Sequence, residues 1–388
     1  MDFSLSPEQE QIRDEVRKLC AQFDDVYWLE KDRTGDFPHE LHAALAAAGW
    51  LGIAMPEEHG GAGLGITEAV LMMQAVAESG AAMSGASAVH INIFGLQPVV
   101  VFGTEEQKRR MLPPLIAGKD KACFAVTEPD AGLDTTAIKV RADRRGDHYV
   151  LSGQKIWIST AQVANKILIL ARTTPLDQVK RKTHGLSLFY TDLDRSHVAI
   201  RVIEKMGRHA VDSNEMFFDA MAVPAADRIG AEGEGFRCIL HGMNPERILI
   251  AAEAVGIGRA ALQRAAGYAR ERVVFGRPIG QNQGIAHPLA QCWMNLEAAN
   301  LMVMKAASLY DGKMECGAEA NAAKYLAGEA AFHACETAVM THGGMGYSRE
   351  FHVERYLREV MIPRIAPVTP HMVLNFIAEK VLGLPKSY

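Results

Sequence analysis

The spacing of apolar residues in this chain changes period twice, and that change limits what it can fold into. Up to about residue 120 they recur at helical spacing. From about 121 to 230 they form short alternating runs (122–127, 138–142, 148–152, 156–158, 167–171, 185–191, 198–204 and 215–219) separated by turn residues. Beyond 231 long helical segments return, at about 246–272, 283–311, 317–341 and 370–381. They lack heptads, so a bundle is expected rather than a coiled coil. The predicted class is α+β, mainly α. An N-terminal helical domain spans 1–120, a central antiparallel β domain 121–230 and a C-terminal four-helix-bundle domain 231–388.

Local signals agree with this order. Ser6, Pro7, Glu8 and Glu10 form a helix start, and Ile12, Val16, Leu19 and Phe23 follow at helical spacing. Phe37 and Pro38 open a second helix, and Gly49 ends it. Thr104 starts the last helix before the β region, with Pro113 and Pro114 expected to interrupt it. The glycine-rich stretch Gly60–Gly65 has no GxGxxG spacing and no preceding strand, so a flexible surface loop is expected rather than a phosphate loop.

Composition excludes several classes. The net charge is −5, and Arg141, Arg144 and Arg145 alternate with Asp143 and Asp147, so no basic stripe marks a nucleic-acid binder. The six cysteines (Cys20, Cys123, Cys238, Cys292, Cys316 and Cys335) show no CxxC or paired spacing. No metal site and no disulfide framework are expected, only free thiols in a reducing compartment. The first residues, Met1 to Glu8, lack the basic start and apolar core of a signal peptide. No uninterrupted apolar stretch reaches about 18 residues, so no membrane span is expected. A bacterial cytoplasmic protein is the simplest reading.

Two segments carry the chemistry. In Cys123–Asp134 an apolar strand, Phe124, Ala125 and Val126, meets a turn of small and acidic residues that begins at Thr127. Gly153–Ser159 follows, with Trp157 near its end. A polar strand end can hydrogen-bond a flavin edge, and a nearby indole can cover its face. This constellation resembles the acyl-CoA dehydrogenase family, and the resemblance covers essentially the whole chain. It implies FAD as cofactor, with Phe124, Val126 and Thr127 along the ring edge, Trp157 packed near the ring and Ser159 close by. Leu133 stands where the family usually has Ser, near the pyrophosphate and the substrate entrance. The segment Glu271–Gln283 resembles the helix and loop that reach the FAD of a neighbouring subunit. Arg272 would meet the pyrophosphate, and Phe275 and Gln283 would line the cofactor. Gly343 and Gly344 resemble the adenine-side turn, with Met340 where the family usually has Gln, and Thr369 is placed beside the cofactor. These features imply a homotetramer built from dimers.

The family reaction needs a carboxylate base, which in many members lies in a C-terminal Glu-Gly-Thr motif. Counted from Arg358, that stretch here is Ala366-Pro367-Val368-Thr369, so Pro367 occupies the base position. The isovaleryl- and long-chain-type members carry their base on the long helix, as an acid followed by Arg. Here Asn244-Pro245-Glu246-Arg247 matches that pattern. The resemblance makes Glu246 the catalytic base and puts Asn244, Arg247, Ala366 and Pro367 at the substrate. Glu246 also suits an ordinary helix start, where the dipole would lower its pKa, whereas a base for a carbon acid benefits from burial that raises it. Glu253 is the rival, on nearly the same helix face about 10 Å further along. Proline has no N–H for the thioester carbonyl, so either a neighbouring amide such as Val368 replaces it or carbonyl binding is altered.

The implied activity is α,β-desaturation of an acyl-CoA in fatty acid β-oxidation, with electrons passed to an electron-transfer flavoprotein. A flavin oxidase or monooxygenase on the same fold remains an alternative, as does a non-catalytic flavin- or CoA-binding protein.

Overall fold

The structure, a computed structural model, describes residues 4–387. The first three residues of the N-terminal stretch read above therefore lie outside the described part. Seven helices come first: α1 (Pro7–Cys20), α2 (Asp25–Thr34), α3 (His39–Ala47), α4 (Ile66–Val76), α5 (Ala82–Phe94), α6 (Gln97–Phe102) and α7 (Glu105–Ile116). Eight strands follow: β1 (Ala122–Ala125), β2 (Arg141–Arg145), β3 (His148–Ser159), β4 (Lys166–Arg172), β5 (Leu186–Asp192), β6 (Val198–Val202), β7 (Ser213–Pro224) and β8 (Arg228–Ile229). The chain then returns to helix with α8 (Gly235–His241) and α9 (Met243–Glu271). A small hairpin, β9 (Val273–Val274) and β10 (Arg277–Pro278), precedes α10 (Gln283–Asp311) and α11 (Gly317–His342). Short helices α12 (Val353–Glu359), α13 (Met361–Ile365) and α14 (Pro370–Phe376) close the chain.

The N-terminal signals act as expected. Ser6 caps α1 in a reciprocal box with Gln9: Gln9 N–H donates to Ser6 Oγ at 3.2 Å and Ser6 N–H to Gln9 Oε1 at 3.1 Å. Pro113 and Pro114 do not break α7, which runs through them to Ile116. They fall in its last turn, where two missing N–H groups leave the helix only a few residues to run. The glycine loop is tied down rather than flexible. Gly60, Gly61, Ala62, Gly63 and Leu64 donate their N–H groups to carbonyls of residues 52–57, and Gly65 N–H goes to Glu68 Oε2 at 3.0 Å. No amide of that stretch is left for a phosphate.

The eight-stranded sheet is mixed. Its order is β6-β7-β3-β2-β4-β5-β8, with β1 added on β4. Most pairs are antiparallel, as expected, but β1 and β2 both meet β4 in parallel. The runs read as two strands at 148–152 and 156–158 are one strand, β3, carrying two bulges against β7. Gly153 at φ 138 marks the first, and Trp157 at φ 61 sits in the second. That irregularity breaks the alternation and made one strand look like two.

The C-terminal helices are alanine- and glycine-rich because they pack at close range. A Cβ at Gly256 of α9 would lie 2.6 Å from the carbonyl oxygen of Gln74 in α4, and one at Gly258 would lie 2.6 Å from Leu296 Cδ2 in α10. Helix α9 thus sits against α4, α5, α10 and α11 at the centre of the largest apolar core. Among the described residues, two runs, Ile66–Phe102 and Val353–Val381, are long and apolar enough to cross a membrane. The first is mostly buried in this core, and the second is interrupted at residues 366–369.

A buried ion pair fixes the turn after β1. Lys155 is fully buried. Its Nζ donates to Glu128 Oε1 at 2.9 Å and to the Val126 carbonyl at 2.8 Å. Glu128 also accepts from the N–H groups of Lys139 at 2.6 Å and Val140 at 2.9 Å. Removing one partner strands the other in the core. Glu128→Ala is expected to cost about 3–5 kcal/mol, read as a shift in the urea midpoint, whereas a surface change such as Lys139→Ala costs about 1 kcal/mol or less.

Candidate active site

A cavity of about 490 Å³ opens where the sheet meets α5, α9 and the loop after α13. Phe124, Val126 and Thr127 reach it from the end of β1, Trp157 and Ser159 from β3, and Leu133 from the turn between them. The two motif segments are joined directly: Ile156 N–H donates to the Thr127 carbonyl at 3.0 Å. The bulge that sets Trp157 at φ 61 leaves its indole 55% exposed at the cavity. A large aromatic more than half exposed there, beside the hydroxyls of Thr127 and Ser159, fits a planar ligand face.

Glu246 and Arg247 enter from the first turns of α9, and Ala366, Pro367 and Val368 from the loop before α14. Helix α9 begins at Met243, earlier than the expected 246, so Glu246 lies inside the first turn. Its Oε2 is shielded from solvent and has no hydrogen-bond partner. Burial pushes its pKa up from the ordinary 4.5 to about 7, against the lowering fields of His90 and Arg247. Desolvation is the largest cause of this shift. Arg247 is oriented from below: its Nη1 donates to Asn244 Oδ1 at 3.2 Å and to the Met243 carbonyl at 3.4 Å. Asn244 does not line the cavity. Its Nδ2 points to Cys316 Sγ at 3.5 Å, so it acts on the site through Arg247.

Glu253 lies deeper on α9 and is fully buried. Its Oε1 is 2.5 Å from His90 Nδ1 of α5, so it is engaged and does not line the cavity. Pro367 lines the cavity without an N–H, and the adjacent Val368 N–H makes no hydrogen bond within the protein. Thr369 does not line it: its hydroxyl caps α14 by accepting from Met372 N–H at 3.4 Å.

The remaining motif residues stand elsewhere. Arg272 ends α9, and Phe275 sits at the tip of the β9–β10 hairpin, 100% exposed and at φ 52. Gln283 opens α10. Met340 near the end of α11 is exposed, as are Gly343 and Gly344 beyond it. None of these borders the cavity of its own chain.

Sequence reasoning missed two cavity groups, His90 and Arg208. His90 is the one ionisable residue in the apolar helix Ala82–Phe94, a weak signal more often satisfied in a core. Arg208 stands in a loop at φ 56, which nothing in the sequence flagged. The six cysteines are all buried and unpaired by disulfide. Among the described residues, Glu58, His59 and Glu105 bring ligand atoms within 4.8 Å of one another, and none of them lines the cavity.

Comparison with known proteins gives one answer. Three family descriptions match in sequence order: acyl-CoA dehydrogenase N-terminal domain over residues 6–119, middle domain over 123–221 and C-terminal domain over 233–382. Acyl-CoA dehydrogenase FadE12 of Mycobacterium tuberculosis is 38% identical, across 100% of this chain and 99% of its own. The caffeyl-CoA reductase–Etf complex subunit CarC of Acetobacterium woodii is 35% identical over 89% of this chain and 92% of its own. The solved FAD complex of PigA superimposes with a TM-score of 0.93 at 28% identity, covering 99% of this chain and 100% of that one.

The raised pKa of Glu246 makes a stability prediction that needs no substrate. Between about 4.5 and 7 the native chain holds this proton and the unfolded chain does not. Stability from this group is therefore present at low pH and lost as pH rises through about 7. Against Glu246→Gln, wild type should lose up to about 3 kcal/mol between pH 5 and pH 8 in urea melts.

Proposed function

The chain belongs to the acyl-CoA dehydrogenase family, and from that premise we propose that it desaturates an acyl-CoA thioester between Cα and Cβ, with Glu246 as the base. The observation that carries this reading is the Glu246 carboxyl: it lines the cavity, its Oε2 is shielded and unpartnered, and burial holds its pKa near 7. A carboxylate left unpaired in a cavity is poised to take a proton rather than to hold the fold together.

FAD is the family's cofactor, and the residues present fit it: an open indole at Trp157, hydroxyls at Thr127 and Ser159, and apolar contacts from Phe124 and Val126. When bound, FAD supplies the acceptor for the β-hydride. Glu246 takes the α-proton. The free Val368 N–H is the donor we assign to the thioester carbonyl in place of the one Pro367 lacks. Arg247, steadied by Asn244, favours the ionised form of Glu246. The base on α9 and the small residues Ala366 and Pro367 follow the isovaleryl- and long-chain-type arrangement. A medium-length or branched acyl group is the reading those features alone support.

Phe275, at the tip of a two-stranded hairpin, touches nothing in its own chain's core, and Trp293, Met294 and Met340 are also exposed apolar residues. We assign the Arg272–Gln283 segment, with Met340, Gly343 and Gly344, to the FAD of a neighbouring copy in a homotetramer. The description of CarC as part of an Etf complex supports an electron-transfer flavoprotein as the electron acceptor. β-Oxidation in a bacterial cytoplasm is the setting these assignments fit.

Anaerobic titration with straight, branched and aromatic acyl-CoAs tests the reading, because a substrate bleaches the bound flavin. Glu246→Gln should bind ligand within a few-fold of wild type while the bleaching rate falls about 10³-fold or more. A near-wild-type rate would remove Glu246 from the role. The wild-type rate should rise with pH through about 7, where the carboxyl ionises, and level off above it. Fast reoxidation of the reduced enzyme by air would favour the oxidase reading instead. Phe275→Glu should lower both the sedimenting mass and the FAD content.

A further inference from the structure

Two polar groups that wall the cavity, Arg208 and His90, are not used in the proton transfer just described. Arg208, in the loop between β6 and β7, is only 8% exposed. Its guanidinium donates to three neutral hydroxyls: Ser159 Oγ and Ser213 Oγ at 3.0 Å each, and Ser87 Oγ at 3.3 Å. Its Nε is buried and has no partner. The carboxylates whose fields reach it are engaged with other groups: Glu359 with Arg355 and Ser84, Asp212 with Gln162 and Asn214, and Glu253 with His90. A buried cation with no counter-ion in contact is expensive, and Arg208 holds this place at φ 56, a backbone region arginine rarely adopts.

His90 is the second group. Its Nδ1 is committed to Glu253, while its Nε2 makes no hydrogen bond within the protein and its ring lines the cavity. His90 lies within reach of the fields of both Glu246 and Arg208, so the two groups stand near the base and a chain that meets them is short. The neighbouring wall is apolar, from Ile91, Phe94, Ile239 and Ile250.

We propose that the acyl group accepted here is short and ends in a carboxylate received by Arg208 and by the Nε2–H of His90, so that the substrate class is the mono-CoA thioester of a dicarboxylic acid. The inference rests on the dehydrogenase reading above and deepens it. The carboxylate supplies the counter-ion that the protein withholds from Arg208, and it accepts hydrogen bonds that would otherwise go unmade. A methyl-ended chain of the same length would cover the guanidinium and Nε2 without pairing either, leaving buried donors unsatisfied. Burial alone would depress the His90 imidazolium, but the Glu253 carboxylate overrides it and the net shift is upward.

Anaerobic titration of the FAD-loaded enzyme with glutaryl- and adipyl-CoA, against pentanoyl- and hexanoyl-CoA of matched carbon number, reads the inference. Wild type should be bleached by the carboxylated thioesters with a rate-to-Kd ratio about 100-fold or more above that of the methyl-ended ones. Calorimetric binding of the same four thioesters to Glu246→Gln should follow the same order. Arg208→Met should abolish or invert the preference and Arg208→Lys should keep part of it, with melting curves and FAD content reporting whether each variant folds. His90→Phe carries the same test should Arg208→Met fail to fold. A wild type that responds equally to both panels, or better to the methyl-ended one, overturns the substrate class and leaves the dehydrogenase reading intact. A flavin bleached by no thioester, with none bound by Glu246→Gln, would mean that the dehydrogenase reading itself has failed and the inference with it.

Discussion

The close approach of α9 to its neighbours is the constraint on which the rest of the molecule depends. At Gly256 there is no room for a side chain between α9 and the Gln74 carbonyl, and at Gly258 none beside Leu296. Packing at that range leaves α9 little freedom to rotate or slide. Its rotation decides which residues face α5 and the cavity, and those are Glu246 near the start and Glu253 two turns on. A helix set further out would leave both carboxyls in water.

The same low-dielectric setting has opposite consequences for the two acids. Glu253 meets His90 through Oε1, although its Oε2 is also buried without a partner. The Glu246 carboxyl makes no hydrogen bond within the protein, and its burial is answered by a raised pKa. Arg208 completes the pattern as a cation surrounded by hydroxyls. The cavity thus holds charge that the fold does not fully balance, which is how a binding site differs from a core. The β domain contributes rigidity to the same place. The Glu128–Lys155 pair locks the turn after β1 to β3, and the bulge beside it turns the Trp157 indole outward.

Much of this was legible in the chain itself. The two changes of apolar period gave the order of helix, sheet and helix, because burial on one face imposes a period wherever the face is continuous. The long helices at 283–311 and 317–341 agree closely with α10 and α11, whose ends are marked by polar residues and glycine. The pattern misled where irregularity was structural: the bulges in β3 hid one strand as two, and the parallel contacts of β4 had no local signature. Helices α8, α12 and α13 fall within the region expected to be helical, but the pattern does not delimit them, since segments of five to seven residues carry too few turns to show a period.

The sequence by itself determined the order of elements, the family resemblance and the elimination that pointed to Glu246, since Pro367 cannot be a base whatever surrounds it. The tertiary structure alone decided whether Glu246 would be buried or washed by solvent. It also decided that His90 meets Glu253 across 163 residues and that Arg208 meets Ser87 across 121. The reason is physical. A side chain's identity travels with the chain, but the charge it carries depends on what lies within a few ångströms and on how much water is excluded. Both are set by segments that touch only when the chain is folded.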